Sequence, residues 1–239
     1  ADVVLAIGTE LAETDYDVPF AGGVNMPGTL LRIDIDPDQT VRNYPPQVAL
    51  VADARIAAQA LLTEINRQPL APRTADWGAA RVARLWAELE PAWGASTRAQ
   101  TRFLNAVLEE LPGVVFVGDS TQPVYSGNLT LNLDHPRRWF NSSTGYGTLG
   151  YALPAVMGAW LGRGDGQAVV CLIGDGGLQF TLPELASAVE ARTPVIVLLW
   201  NNQGYEEIKK YMVNRDIEPV GVDIYTPDFI GVATALGCA

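Results

Sequence analysis

Two short, almost wholly apolar runs constrain this chain more than anything else in it. Residues 168–173 end in Gly174-Asp175-Gly176-Gly177, and residues 194–200 end in Asn201-Asn202. Runs of this length without polar alternation suit strands covered on both faces, and such strands belong to parallel sheets packed between helices. Residues 182–191, between the two runs, read as a helix. Twenty-four residues separate Gly176 from Asn201, enough for one helix and one strand, so both polar loops fall on the same sheet edge. In open α/β sheets, ligands bind beyond the carboxyl ends of the strands.

The rest of the chain follows the same pattern. Strands are expected over 114–117, ending in Gly118-Asp119-Ser120-Thr121-Gln122, and over 138–140, with helices over 101–111 and 149–161. Nearer the start, strands are expected over 2–7, 30–35 and 49–51, followed by a helix over 54–65. Half of a doubly wound sheet at that end would leave an exposed edge. Pro69 and Pro72 mark a linker, which gives a first part over 1–66, a linker over 67–76 and a second part over 77–239. Val82, Leu85, Trp86 and Leu89 share one helical face, as do Phe103, Leu104, Val107, Leu108 and Leu111. Both stripes read as core or interface.

Charge narrows the partners. The 239 residues carry a net charge of −11, and residues 1–66 hold ten acids against three bases. Such a chain is a poor binder of nucleic acid or of anionic membrane. No apolar stretch is long enough for a transmembrane helix. The two cysteines, Cys171 and Cys238, lack metal-ligand spacing and suit reduced thiols in the cytoplasm. The chain opens directly on a strand pattern without an initiator Met and reads as a piece of a longer protein.

The chemistry is expected in three loops. Glycines at 174, 176 and 177 allow close backbone approach, and exposed N–H groups at a following helix start suit phosphate. Asp175 among them would repel phosphate unless a cation lay between. Mg²⁺ accepts carboxylate, amide and phosphate oxygens together; the pair Asn201-Asn202 offers such an amide oxygen, and the carbonyl of Gly204 could supply another. Either loop alone is more often an ordinary turn; the pairing at this interval is what points to a site.

Gly-Asp-Gly, twenty-four residues and Asn-Asn resemble the cofactor motif of the thiamine-diphosphate-dependent enzymes, in their acetolactate synthase and 2-oxo acid decarboxylase branch. Residues 141–155 and 180–186 support the likeness, and Arg32-Ile33-Asp34-Ile35-Asp36 resembles the end of that family's central domain. The resemblance implies an α/β fold: a doubly wound parallel sheet of the thiamine-diphosphate-binding type, preceded by part of a second, central α/β domain. It implies thiamine diphosphate and Mg²⁺ as cofactors.

Roles follow residue by residue. Asp175, Asn202 and the Gly204 carbonyl would hold Mg²⁺ against the diphosphate. Gly174, Gly176, Gly177, Thr121 and Gln122 would surround the phosphates, the last four through backbone N–H groups at most. The family often has Ser or Ala where Gly177 stands. Leu149 would enforce the bent shape of the cofactor, while the Gly147 carbonyl and the Leu149 N–H would hold its pyrimidine ring. The implied reaction is decarboxylation of a 2-oxo acid, releasing an aldehyde or passing the enamine to a second carbonyl. The family's activating glutamate comes from an N-terminal domain of a neighbouring subunit and is absent from these residues. A homodimer or homotetramer would complete the site, and this piece alone would be inactive.

Glu206 and Glu207 open a helix after the metal loop, where acids serve as dipole partners. The sharper reading has Glu206 or Glu207 lining the entrance and favouring a cationic tail; residues 118–122 and 200–205 resemble the pattern of bacterial 5-guanidino-2-oxopentanoate decarboxylases. Asp119 is expected to position its own loop. His135 and the pair Arg137-Arg138 read as surface residues, and Cys171 as packing. An acetolactate synthase catalytic subunit is the second reading. A non-catalytic nucleotide- or phosphate-binding module is a third, disfavoured because a G-x-G-x-x-G fingerprint is missing from the loop.

Overall fold

A computed structural model describes residues 2–12, 23–26, 28–68 and 77–239. Most of the expected linker and part of the loop after the first strand lie outside them. The chain divides into two compact units, Ala1–Glu88 and Leu89–Ala239.

In the first unit, β1 (Val3–Ile7), β2 (Thr29–Asp34) and β3 (Val48–Val51) form a parallel sheet in that order. Val3 pairs with Thr29, and Leu31 with Val48. Asp53 caps α1 (Ala54–Arg67), its carboxylate accepting the N–H groups of Arg55 and Ile56 at 3.0 Å each. Arg32 lies buried in β2, and its guanidinium donates to the carbonyls of Thr9, Arg42 and Tyr44. Val3, Leu5 and Ile7 alternate on an exposed face. Helix α2 (Trp77–Leu89) forms as expected, but its stripe is not covered: Val82, Leu85 and Leu89 are exposed, and Trp86 is half-buried.

The second unit contains a four-stranded parallel sheet, in the order β5 (Trp139–Asn141), β4 (Val115–Gly118), β6 (Val169–Gly174) and β7 (Ile196–Trp200). Side chains alternate across it with the period of two that a strand imposes. Val115, Val117, Val169, Cys171 and Ile173 face Leu153, Val156, Leu178 and Phe229. Phe116, Val170 and Leu172 face Leu104 and Val124, with Trp139 edge-on to Phe116 at 5.5 Å. At the carboxyl edge Gly118 pairs with Asn141 and Leu172, and β6 and β7 run two residues further, to Gly174 paired with Trp200.

The helices of this unit are α3 (Ala95–Glu110), α4 (Gln122–Thr130), α5 (Ala152–Arg163), α6 (Asp175–Phe180), α7 (Glu184–Glu190), α8 (Glu206–Val213) and α9 (Phe229–Ala235). Three boundaries differ from expectation. Helix α3 begins six residues early, capped by Gly94 in extended conformation. Helix α5 begins at 152 and not 149, because Gly150 holds a left-handed φ of 83° that a right-handed helix cannot include. The Gly174-Asp175-Gly176-Gly177 segment is not an open loop: Gly174 ends the strand and caps a short helix that starts at Asp175. Among the described residues, no helix is long and apolar enough to cross a membrane.

Candidate functional site

Each glycine after β6 is matched to a side chain from another loop. A Cβ on Gly174 would lie 3.2 Å from Thr121 Oγ1, and one on Gly176 would lie 2.6 Å from the Tyr205 ring. A Cβ on Gly177 would overlap the Asp119 carboxylate, which leaves no space there for the Ser or Ala often found in similar sequences. The loops after β4, β6 and β7 are therefore packed together at the edge of the sheet. Because α6 starts at Asp175, the N–H groups of Gly176 and Gly177 lie in its first turn, where helical N–H groups lack an intrahelical partner.

Asp175 is buried, and its Oδ2 finds no donor. The amide oxygen of Asn202 lies 2.9 Å from the Gly204 carbonyl oxygen and 3.1 Å from Asp175 Oδ1. Turned over, that amide would donate to both; as it stands, oxygens face oxygens. Adjacent ligands of an octahedral Mg²⁺ with bonds of about 2.1 Å sit about 3 Å apart, so this spacing fits a hard cation in their midst. One carboxylate, one amide and one carbonyl is also an all-oxygen set, unlike the nitrogen and sulfur ligands that zinc prefers. Asn201 lies beside it, and its Oδ1 accepts the Gln203 N–H at 3.2 Å.

A segment that the sequence did not single out fixes the carbonyl. Gly204 bridges antiparallel to Asp223, and the Tyr205 N–H donates to Val222 O at 2.8 Å. A Cβ on Gly204 would lie 2.6 Å from that same carbonyl oxygen. Lys209 Nζ holds Asp223 at 2.7 Å, and this ion pair raises the Lys209 pKa. Beside Gly176 lies a cavity of about 380 Å³ lined by Gln179, Phe180, Tyr205, Ile224 and Tyr225. Phe180 and Tyr205 belong to stretches that the sequence singled out, whereas Ile224 and Tyr225 come from one that it did not.

Other expected residues are placed as follows. The Thr121 N–H donates to Asp119 O at 2.9 Å, while Gln122 is the first residue of α4. The Gln122 side chain donates to Glu207 Oε2 at 2.9 Å, and Lys210 lies 3.6 Å from the other oxygen of Glu207. Glu207 is thus tied to the Thr121-Gln122 loop, whereas Glu206 is exposed. Gly147 has a φ of 65°, and its N–H donates to Ser142 O at 2.9 Å. Leu149 is half-buried in the turn before α5, not inside the helix.

Asp119 does more than shape its own loop. It is fully buried; Oδ2 accepts the Gly150 N–H and Oδ1 the Ala152 N–H, both at 2.7 Å. Burial pushes its pKa up, against the opposing pull of those backbone hydrogen bonds. Cys171 is buried in β6, and desolvation raises its thiol pKa, which makes it inert. His135 is exposed beside Asp134.

Comparison with known proteins adds to this geometry. Residues 113–239 match the C-terminal TPP-binding domain of thiamine pyrophosphate enzymes, and residues 1–61 match the central domain of the same enzymes. All of this chain aligns at 44% identity with 42% of a probable 2-ketoarginine decarboxylase, AruI, from Pseudomonas aeruginosa. At 30% identity, 99% of it aligns with 42% of the acetolactate synthase isozyme 3 large subunit of Escherichia coli. A thiamine diphosphate-dependent 4-hydroxybenzoylformate decarboxylase from Rhodococcus jostii RHA1 shares the fold, with a TM-score of 0.69 at 22% identity over 99% of this chain and 42% of that one. The chain thus spans under half the length of the relatives it matches.

Proposed function

Because this chain belongs to the thiamine pyrophosphate enzyme family, we propose that it forms the diphosphate- and metal-holding part of a 2-oxo acid decarboxylase. The observation that carries the reading is the oxygen cluster at Asp175, Asn202 and Gly204, next to the first-turn N–H groups of α6. In this reading the central domain ends near residue 66, and the cofactor domain occupies 77–239.

When bound, thiamine diphosphate supplies a carbon nucleophile and an electron sink for loss of carbon dioxide. This chain supplies the setting. Asp175, Asn202 and the Gly204 carbonyl would hold Mg²⁺, whose charge would offset that of the diphosphate. The Gly176, Gly177 and Gln122 N–H groups and the Thr121 hydroxyl would meet its oxygens, favoured by the positive end of each helix. Gly174 lets Thr121 approach closely. Leu149 would pack against the cofactor's rings, and the Gly147 carbonyl would accept from its amino group. The activating glutamate comes from another domain of a second subunit, so a homo-oligomer in the cytoplasm completes the site.

The likeness to a probable 2-ketoarginine decarboxylase suggests a 2-oxo acid with a guanidinium tail. Glu207, held by Gln122 and supported by Glu206, offers that tail a carboxylate near the entrance. The test uses the full-length protein with thiamine diphosphate and Mg²⁺. Aldehyde and carbon dioxide release from 5-guanidino-2-oxopentanoate is the expected result. Acetolactate formation from pyruvate, without turnover of the guanidino acid, would overturn it in favour of the synthase reading.

A further inference from the structure

Asp119 is a buried carboxylate that touches neither the metal cluster nor, in the reading above, the cofactor. It nevertheless meets two of the elements that do. One side of it fills the space where a Cβ on Gly177 would stand, in the first turn of the phosphate-facing helix α6. From the other, its two oxygens accept the N–H groups of Gly150 and Ala152. Those amides directly follow Leu149. Helix α5 has no side-chain cap of its own at Tyr151, so Asp119, in the loop after β4, caps it. Its position is fixed in turn, because its own N–H donates to Leu172 O in β6 at 2.9 Å.

We infer that Asp119 is a positioning residue: its carboxylate sets the distance between the turn that carries Gly147 and Leu149 and the diphosphate end of the site. The geometry gives the reason. Gly150 is held at a φ of 83° with Thr181 and Phe180 against it, so the turn has one seat, and the two 2.7 Å hydrogen bonds hold it there. An amide at this position can accept at one atom only, so one of the two N–H groups loses its partner. The turn then loosens while Asp175, Asn202 and Gly204 keep their places. Misplacing a reacting group by about 1 Å can cost about 100-fold in rate.

This inference rests on the proposed function, and its test uses the full-length protein. Asp119→Asn is expected to lower kcat about 10- to 100-fold. The affinity for thiamine diphosphate with Mg²⁺ and the KM for the 2-oxo acid should stay within a few-fold. Amide hydrogen exchange over 147–153 should accelerate in that variant while β6 keeps its protection. A variant with wild-type kcat and wild-type exchange over 147–153 overturns the inference alone. A wild-type protein that neither binds the cofactor nor turns over a 2-oxo acid overturns the proposed function and this inference with it. If Asp119→Asn does not fold, Gly177→Ala reads the same carboxylate from its other side. The added methyl must displace Oδ2, so exchange over 147–153 should again accelerate, and unchanged exchange there overturns the inference.

Discussion

Replacing Asp175 with Asn should stabilise the metal-free protein and abolish its stabilisation by metal and cofactor. Asp175 is 1% exposed, and its Oδ2 has no donor. A buried, unsatisfied polar atom costs about 1–3 kcal/mol, and more when charged. Asn has nearly the same volume, removes the buried charge and can put a donor where Oδ1 now faces the Asn202 amide oxygen at 3.1 Å. The metal-free variant should therefore gain about 1–3 kcal/mol, a rise in Tm of about 3–10 °C for a unit of this size. With ligand at about 100 times its Kd, wild type should gain about 2.7 kcal/mol, and the variant almost nothing. The variant's lead should therefore shrink or vanish on adding thiamine diphosphate and Mg²⁺. Scanning calorimetry of both full-length proteins, with and without ligand, reads this directly. A metal-free variant that melts below wild type, with both proteins rising equally on ligand addition, would refute the reasoning.

Three further outcomes are expected. Gly204→Ala puts a methyl 2.6 Å from Val222 O, so it should cost about 1–3 kcal/mol and weaken Mg²⁺ binding in a calorimetric titration. Gly176→Ala meets the Tyr205 ring at 2.6 Å; thiamine diphosphate affinity should fall about tenfold, and adding Tyr205→Ala should recover part of it. The third concerns pH. Asp119 titrates above 3.8 in the folded state because of burial, so the folded protein holds this proton when the unfolded chain has already lost it. The contribution is fully present below about pH 3.8 and is lost as pH rises through the raised pKa. Denaturant unfolding at several pH values should show wild type losing stability relative to Asp119→Asn from about pH 4 upward; a difference that stays constant or moves the other way contradicts it.

The sequence carried the site where chemistry and spacing coincide. The ends of β6 and β7 are legible because apolar runs stop at residues no strand interior would hold, Gly174 and Asn201. Asp175 stands out because a carboxylate beside phosphate calls for a cation, whereas the choice of Asn202 and Gly204 as its partners is what the family resemblance implies. What escaped the sequence is set by contacts distant along the chain. Helix α6 is glycine-rich and reads as a turn; it forms where β6 and Asp119 place its first residues. Helix α5 starts late because Gly150 must turn left-handed against Thr181. The bridge from Gly204 to Asp223 and the ring of Tyr205 on Gly176 leave no periodic trace. Asp119 was visible as a polar strand-end residue, but its partners, Gly150 and Ala152, lie more than thirty residues away. In the first unit, the exposed apolar faces of β1 and α2 show that amphipathic stripes report where a surface is apolar, not what covers it.

The proposed grip of Asp175, Asn202 and the Gly204 carbonyl on a divalent cation can be seen directly. Mn²⁺ can stand in for Mg²⁺ in such an oxygen set and is visible by anomalous scattering. A crystal of the full-length protein with thiamine diphosphate and Mn²⁺ should show one anomalous peak within about 2.2 Å of Asp175 Oδ, Asn202 Oδ1 and Gly204 O, with diphosphate oxygens completing the shell. Diphosphate bound at α6 with no peak among those three oxygens would contradict the account.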